Sequence, residues 1–522
     1  MKKLLALILA LTMLCAIFAA CTETPDGDTN APTDAASDTA APTDTETQRE
    51  LSDVSAFEIL YFLNPITRYE STFGTAEYIF EDLDGIDHII SAFTDEDFSI
   101  VNTTPIAGAK FETTVLYKAG ELVTMYWKES SGELRVLYEL IDEKVLDTLK
   151  ANSMSGSGII TMAQVGTERV DETDNPFNGM CYVILLASGK AIIVDGGFPN
   201  EPCADNLFAA LGKLGVAKNS DGQFMIEAWF FSHAHGDHTG IMTYFAPKYG
   251  HLVDIDYLVY NFPSNDKVAG YHGGELTFHE LCKQYFADTT FVVPHAGIKY
   301  YFGNVVIDML FTPDLIWSPE TPITHYNSTS IVYKLQGGGA SYLCFGDAGE
   351  PTSEAMWNHY DSSAFKSDIL QITHHGLTTG GGSSGQEWTY LKKVYEASEA
   401  TYAVLPMHSR YKTGSERNGR YTVLIQWCNS GCQSSFVMNE SDNHGRSSFD
   451  QNYYNDFCDS VRNGTNTKAT LYGYDGINKV VSETGLITYL GGNEYKPMIT
   501  IFKLSGGSVT VTENQELYTW LA

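Results

Sequence analysis

The sequence predicts an α/β fold preceded by a smaller α+β domain, and three observations carry that prediction. From Ile159 onward, short apolar runs of strand length alternate with helix-periodic segments. Between about residues 51 and 155, one helix-periodic segment precedes a hairpin-like series of strands. A chain of 522 residues with 43% hydrophobic and 12% aromatic residues has the material for more than one core.

The first element is a leader. Met1-Lys2-Lys3 followed by Leu4 to Ala20 has the basic start, short apolar stretch and small-residue exit of an export signal, and is short for a membrane span. Phe18-Ala19-Ala20-Cys21 resembles a bacterial lipobox with Phe18 where Leu is usual, which implies lipidation of Cys21 and a cell-surface lipoprotein held on a bacterial membrane. Ordinary secretory cleavage nearby is the alternative. Residues 21–50, almost wholly Thr, Asp, Ala, Pro and Glu after the cysteine, cannot bury apolar surface and read as a disordered tether.

Residues 51–155 read as the small α+β domain. Asp82 to Phe93 has helical spacing, and Phe111–Tyr117, Leu122–Trp127 and Leu134–Leu140 read as strands. No catalytic constellation stands out in it, so its expected role is a spacer or a binding module. The Ser/Gly-rich stretch Ser153–Gly158 is the expected boundary, and residues 156–522 the α/β domain. There Ile159–Val165, Cys181–Leu186, Ala191–Val194 and Ile226–Phe231 read as strands, and Ala204–Leu214 and Thr239–Tyr249 as helices. Later strands are expected at Phe291–Val293, Val305–Leu310, Ser330–Leu335, Tyr342–Phe345, Ile369–Ile372, Tyr402–Leu405 and Met498–Leu504, with a polar insertion near residues 439–466.

Charge and cysteines narrow the function. A formal net charge of −33, with no basic run beyond the first residues, disfavours extended nucleic acid as a partner. Bound metals could still draw a single phosphate to a local site. Beyond Cys15 and Cys21 there are seven cysteines (Cys181, Cys203, Cys282, Cys344, Cys428, Cys432, Cys458) and no CxxC pair, so no zinc knuckle is indicated. Export permits disulfides, but their pairing does not follow from spacing, and buried thiols are the other reading.

The chemistry concentrates in His233-Ala234-His235-Gly236-Asp237-His238, at the carboxyl end of an apolar strand. Neutral imidazoles and a carboxylate suit zinc, and alternate spacing lets His233 and His235 hold one ion while Asp237 and His238 serve a second. Gly236 is expected to give the backbone room to turn.

At these residues the chain resembles the metallo-β-lactamase superfamily, from about Ile159 to the C-terminus. The resemblance implies an αββα sandwich and two divalent metal ions, most simply Zn2+. Ile192-Ile193-Val194-Asp195-Gly196-Gly197 resembles the segment whose Asp supports the ligand loop, which makes Asp195 an outer-sphere residue. Tyr342 to Asp347 resembles the strand that delivers the carboxylate bridging both metals, Asp347. Asp368 to Gly376 resembles the late histidine segment, with His375 the expected ligand and His374 facing the substrate, or the two reversed. Asp237 and His374 are the candidate catalytic residues.

The family's further His, between the first motif and the bridging Asp, has no clean match; His325 is the nearest candidate metal ligand. It lies in His325-Tyr326-Asn327-Ser328-Thr329-Ser330-Ile331-Val332, similar to a segment of the subgroup holding the competence DNA-uptake hydrolase domain and phosphorylcholine esterases, where Asn327 takes that place. His295 reads as a structural histidine, and His408 as an open case for the substrate side.

The implied function is a binuclear metal-dependent extracellular hydrolase using a metal-activated water, with a phosphodiester in an envelope-associated or small-molecule substrate favoured. An extracellular nuclease, a hydrolase of β-lactams or other esters and amides, and a non-catalytic metal-dependent binding lipoprotein are the rivals.

Overall fold

Strand alternation decides the layers of this protein. The computed structural model describes residues 75–165, 179–263, 267–268, 275–317, 323–376, 389–406 and 498–511, with the short segments 67–70, 434–438, 442–443, 469–472, 495–496 and 515–516 and the single residues 59 and 65. The leader, Cys21 and the tether, most of the polar insertion, His408 and Cys428, Cys432 and Cys458 lie outside these residues.

The first part is a six-stranded antiparallel sheet. Strands β1 (Thr67–Glu70), β2 (Thr75–Phe80), β3 (Ser99–Val101), β4 (Glu112–Lys118), β5 (Glu121–Lys128) and β6 (Glu133–Leu140) run in the order β1-β2-β6-β5-β4-β3. Helix α1 (Asp87–Asp95) covers one face through Ile89 and Phe93, which pack with Tyr78, Leu116, Val136 and Tyr138. The opposite face does not meet water. Leu137 and Tyr126 join a core of the following residues, and Arg135 and Glu139, two residues either side of Leu137 on β6, are buried with it. The short helix α2 (Val145–Thr148) leads through Ser153–Gly158 into the α/β part.

Two larger sheets follow. The first contains β7 (Ile160–Val165), β8 (Cys181–Leu185), β9 (Ala191–Asp195), β10 (Phe224–Phe230), β11 (Val253–Val259) and β12 (Thr290–Val292); β9 to β12 are parallel neighbours and β7 to β9 antiparallel. The second begins with β13 (Lys299–Phe302), β14 (Val305–Phe311), β15 (Val332–Gly337) and β16 (Ala340–Cys344), all antiparallel, and continues in parallel through β17 (Ile369–Gln371) and β18 (Tyr402–Leu405) to β19 (Ser434–Met438) and β21 (Ala469–Tyr472). A small pair, β20 (Asp442–Asn443) and β22 (Tyr495–Lys496), stands apart, while β23 (Met498–Ser505) returns to pair with β7 and carries β24 (Ser508–Val511) and β25 (Gln515–Glu516).

Each inner strand feeds two cores. On β9, Ile192 and Val194 face Tyr333, Leu335 and Tyr342 of the other sheet, whereas Ile193 faces the helices. Those helices are α3 (Glu201–Leu214), α5 (Met242–Tyr249) and α6 (Glu275–Tyr285), with the single turn α4 (Gly236–Thr239) ahead of α5. On the far side, α7 (Glu350–His359) and α8 (Thr389–Ser398) cover the second sheet through Met356, Leu391 and Val394. Helix, sheet, sheet, helix is the αββα order that the resemblance implies.

Local chemistry moved several boundaries. Helix α3 starts at Glu201 rather than Ala204, because the Asn200 side chain accepts from Cys203 N at 2.9 Å and Pro202 suits the first turn. The helix expected over Thr239–Tyr249 is two pieces, α4 and α5. Cys181, Cys203, Cys282 and Cys344 are buried thiols outside any disulfide.

Candidate metal centre

The site forms where strand ends of both sheets meet. β10 runs out through Phe231 and Ser232 into His233, and the chain stays extended to His235, whose carbonyl accepts from His238 N at 3.0 Å and Thr239 N at 2.9 Å. That turn, α4, places Asp237 and His238 beside the first two imidazoles. Gly236 does not act as expected: its φ is not positive and no atom lies within 4 Å of a Cβ built there. The glycine the turn requires is Gly240, where a Cβ would sit 2.2 Å from the Gly236 carbonyl oxygen.

Asp347 arrives from β16 across Phe345 and Gly346. Gly346 has φ +54°, and a Cβ on it would lie 2.7 Å from Ser232 Cβ, so this glycine lets the two ligand-bearing loops touch. The buried Gln371 amide fixes the turn by accepting from Phe345 N and Gly346 N at 2.8 Å each and donating to Gly346 O at 2.7 Å. Three and four residues past Gln371, His374 and His375 take φ of +48° and +51°, a conformation rare for residues with a side chain and characteristic of functional sites.

Two groups of donors result. Asp237, His238, Asp347 and His375 each present a ligand atom within 4.8 Å of the others, and His233, His235 and Asp347 do the same. Asp347 belongs to both. His375 Nε2 lies 3.3 Å from Asp237 Oδ2 and 3.7 Å from Asp347 Oδ1. His233 Nε2 and His235 Nδ1 face each other at 2.9 Å.

Ring orientation is set from outside. His238 Nδ1 meets Asp195 Oδ2 at 2.7 Å, and Ser232 donates to the same carboxylate from N at 2.7 Å and Oγ at 2.8 Å. His375 Nδ1 donates to Pro406 O at 2.7 Å. Both rings therefore turn Nε2 inward. His238 Nε2, His375 Nε2 and Asp347 Oδ1 are buried and form no hydrogen bond among the described residues. Such atoms are costly to bury unless something binds them, and nitrogen and carboxylate donors of this kind suit a divalent cation. The residues present fit the metal that the sequence implies.

Electrostatics agree. Burial pushes the His233 imidazole well below its ordinary value, helped by His238 and His235, and lowers His235 as well, so both are neutral and able to ligate. Burial opposes charge on His238 too, yet Asp347, Asp195 and Asp237 raise it well above the ordinary range. For Asp347 burial acts upward, but His238, His375 and His374 hold it well below the carboxylate range. A cation beside these carboxylates would supply the positive charge that a proton on His238 otherwise brings.

The remaining expected residues divide. His374 Nε2 lies 3.8 Å from Asp347 Oδ2, the oxygen that His233 Nε2 also approaches at 3.8 Å, and 3.1 Å from Asn327 Nδ2, and burial lowers it to about 4. His325 is exposed and belongs to neither group; it precedes the short 3-10 turn Tyr326–Thr329, whose Asn327 turns toward His374 instead. His295 sits elsewhere, between Glu139 and Asp314. Sequence reasoning missed Ser232, Gln371 and Ser330, whose Oγ accepts from Asp347 N at 3.1 Å. Their signal was only adjacency to the motifs.

Comparison with known proteins bears on the same stretch. Residues 174–387, which include both histidine motifs and Asp347, match the family model described as the metallo-beta-lactamase superfamily. The chain carries a metallo-β-lactamase superfamily domain. Members of that superfamily are metal-dependent hydrolases. Among solved structures, the human short-form tRNase Z is similar at 15% identity and TM-score 0.25, covering 47% of this chain and 91% of that one. Zn(2+)-bound PqqB from Methylobacterium extorquens has 10% identity and TM-score 0.33, covering 54% and 98%. An isothiocyanate hydrolase from Delia radicum gut bacteria has 11% identity and TM-score 0.25, covering 60% and 97%. No curated protein sequence matches significantly.

Proposed function

We propose that this metallo-β-lactamase domain holds two divalent ions, most simply zinc, and hydrolyses a phosphodiester in an envelope-associated or small-molecule substrate. The observation that carries the reading is Asp347, shared by two donor groups, in one of which His238 Nε2, His375 Nε2 and Asp347 Oδ1 are buried without a hydrogen bond among the described residues. A bound ion pair would supply Lewis acidity and an activated water. The chain's own residues do the rest. Asp195 and the Pro406 carbonyl fix the rings of His238 and His375, and the Ser330 hydroxyl anchors Asp347. His374, neutral because buried, stands beside Asn327 where a non-bridging phosphoryl oxygen or a leaving oxygen would lie, and its ring N–H can donate to it. His325 has no part in the metal groups.

A diester fits the acidic chain because one phosphate is drawn to local metal charge while a polyanion is repelled by the net −33. The leader and Cys21 support export and lipid anchoring, which would place the enzyme beside envelope polymers. The test is a panel of bis(p-nitrophenyl) phosphate, p-nitrophenyl phosphate, an oligonucleotide and a chromogenic cephalosporin, each with and without chelator. Chelator-sensitive turnover of the small diester above the others is expected. Turnover confined to the oligonucleotide or the lactam, or none despite bound metal, overturns the substrate class.

A further inference from the structure

A second site lies where the small α+β part meets the sheet that carries the histidine motif. A cavity of about 160 Å³ is bounded by the end of β6 and by the loops that follow β11, β12 and β14. β11 pairs in parallel with β10, and β12 in parallel with β11, so the cavity opens at the carboxyl ends of strands in the metal-bearing sheet, a usual place for ligands. None of the metal-group residues lines it.

Its walls have two characters. Tyr260, Phe262, Phe291 and Trp317 provide aromatic surface. Opposed to them are two carboxylates, Glu139 and Asp314, only 5% and 8% exposed. Glu139 Oε2 meets His295 Nε2 at 2.8 Å. Asp314 Oδ2 takes His295 Nδ1 at 3.2 Å, Asn261 Nδ2 at 3.0 Å and the Thr312 hydroxyl at 3.1 Å. The second oxygens, Glu139 Oε1 and Asp314 Oδ1, accept no hydrogen bond from the described residues. Two nearly buried acceptors in a cavity wall call for donors from whatever occupies it.

Charge decides which donors. Behind Glu139, Glu77 accepts from Arg135 at 2.5 Å and from Lys267 at 2.7 Å, and Arg135 also donates to Trp317 O at 2.7 Å. Burial opposes the His295 cation, but the carboxylates bonded to both ring nitrogens raise it to about 10. Three buried carboxylates (Glu77, Glu139, Asp314) thus face three buried cations (Arg135, Lys267, His295), with the more exposed Glu133 3.7 Å from Arg135 on the outer side. A charged ligand would meet like charge on one side and leave the network unbalanced. Volume limits size, since a cavity of roughly 150 Å³ takes a single six-membered ring.

We propose that this cavity binds an uncharged, hexose-sized sugar ring, with its C–H face on the aromatic wall and hydroxyls donating to Glu139 Oε1 and Asp314 Oδ1. The small domain is then part of a binding site, because it supplies Glu139. The site does not depend on the metals, so it stands or falls separately from the proposed hydrolysis.

The test is calorimetric titration of the full chain with glucose, galactose and mannose, and with glucosamine, glucuronate and phenol as cationic, anionic and purely aromatic controls. Saturable binding of at least one neutral hexose, tenfold or more tighter than the controls, is expected. Ile141→Trp, at a half-buried lining position, and Glu139→Gln, which turns an acceptor into a donor, should each weaken it at least tenfold while melting shows a folded chain. The proposal is overturned if no hexose saturates, if a control binds as tightly, or if a variant that remains folded binds like the wild type.

Discussion

Replacing Asp195 by Asn tests how the outer residues control the metal groups. The carboxylate is fully buried and receives three contacts, Ser232 N on Oδ1 and Ser232 Oγ and His238 Nδ1 on Oδ2. In Asp195→Asn the Oδ2 position becomes an NH2 group, which cannot accept from His238 Nδ1–H. Ser232 can redirect its hydroxyl, since His233 Nδ1 lies 3.1 Å away. His238 Nδ1 keeps only the longer contact to the Ser232 hydroxyl, 3.2 Å against the 2.7 Å it loses, and beside an NH2 group it shifts toward the tautomer with its proton on Nε2, the atom that should face the cation. Loss of an outer carboxylate behind a ligating histidine costs about 10–100-fold in metal affinity, or roughly 1.4–2.8 kcal/mol. Competition against a chromophoric chelator should show this loss for one ion of two, because His233 and His235 do not touch Asp195. Ser232→Ala, which keeps the shorter His238–Asp195 contact and removes only the 3.2 Å one to the hydroxyl, should lose less. An Asp195→Asn chain holding both ions at wild-type affinity would refute the reasoning.

Other perturbations separate the roles of neighbouring residues. His375→Ala should lose one ion and activity, whereas His374→Ala should keep both ions and lose roughly 100-fold in kcat, read by metal content and diester turnover. Ala at Gly240 should cost several kcal/mol, about 3 or more, because a Cβ there would lie 2.2 Å from Gly236 O, while Gly236→Ala, with open space, should leave the melting temperature within a few degrees. His295 is raised to about 10 in the folded chain against an ordinary 6.5. Its contribution, on the order of 3–5 kcal/mol, is therefore complete below about pH 6.5 and is lost as pH rises through 10. Denaturant midpoints from pH 6 to 10 should fall, and Glu139→Gln should flatten the slope; an unchanged slope in that variant contradicts the pairing.

Much of the fold was legible because its strands carry strong local signals. Ile192-Ile193-Val194 and Tyr342-Leu343-Cys344 are apolar on both faces since each strand is covered on both sides. β11 escaped notice because Asp254 and Asp256 interrupt Val253-Asp254-Ile255-Asp256-Tyr257, and only its pairing with β10 and β12 makes it an inner strand. At the site, His233 to His238, Asp347 and His375 were readable because ligand types cluster within motifs. Which histidine would turn away was not, as His325 and Asn327 differ by two residues on a short turn whose direction depends on its packing. The cavity was least legible of all. Glu139, His295 and Asp314 are far apart in sequence, each is ordinary in its own segment, and only the docking of β6 against the strand ends of the metal-bearing sheet brings them together.

The central claim is that one buried aspartate serves two cations, and metal content of the purified chain tests it most directly. The account predicts two divalent ions per chain in the wild type and no more than one tightly held ion in Asp347→Ala. A wild-type chain that takes up no stoichiometric metal, or an Asp347→Ala chain that still holds two ions tightly, would contradict it.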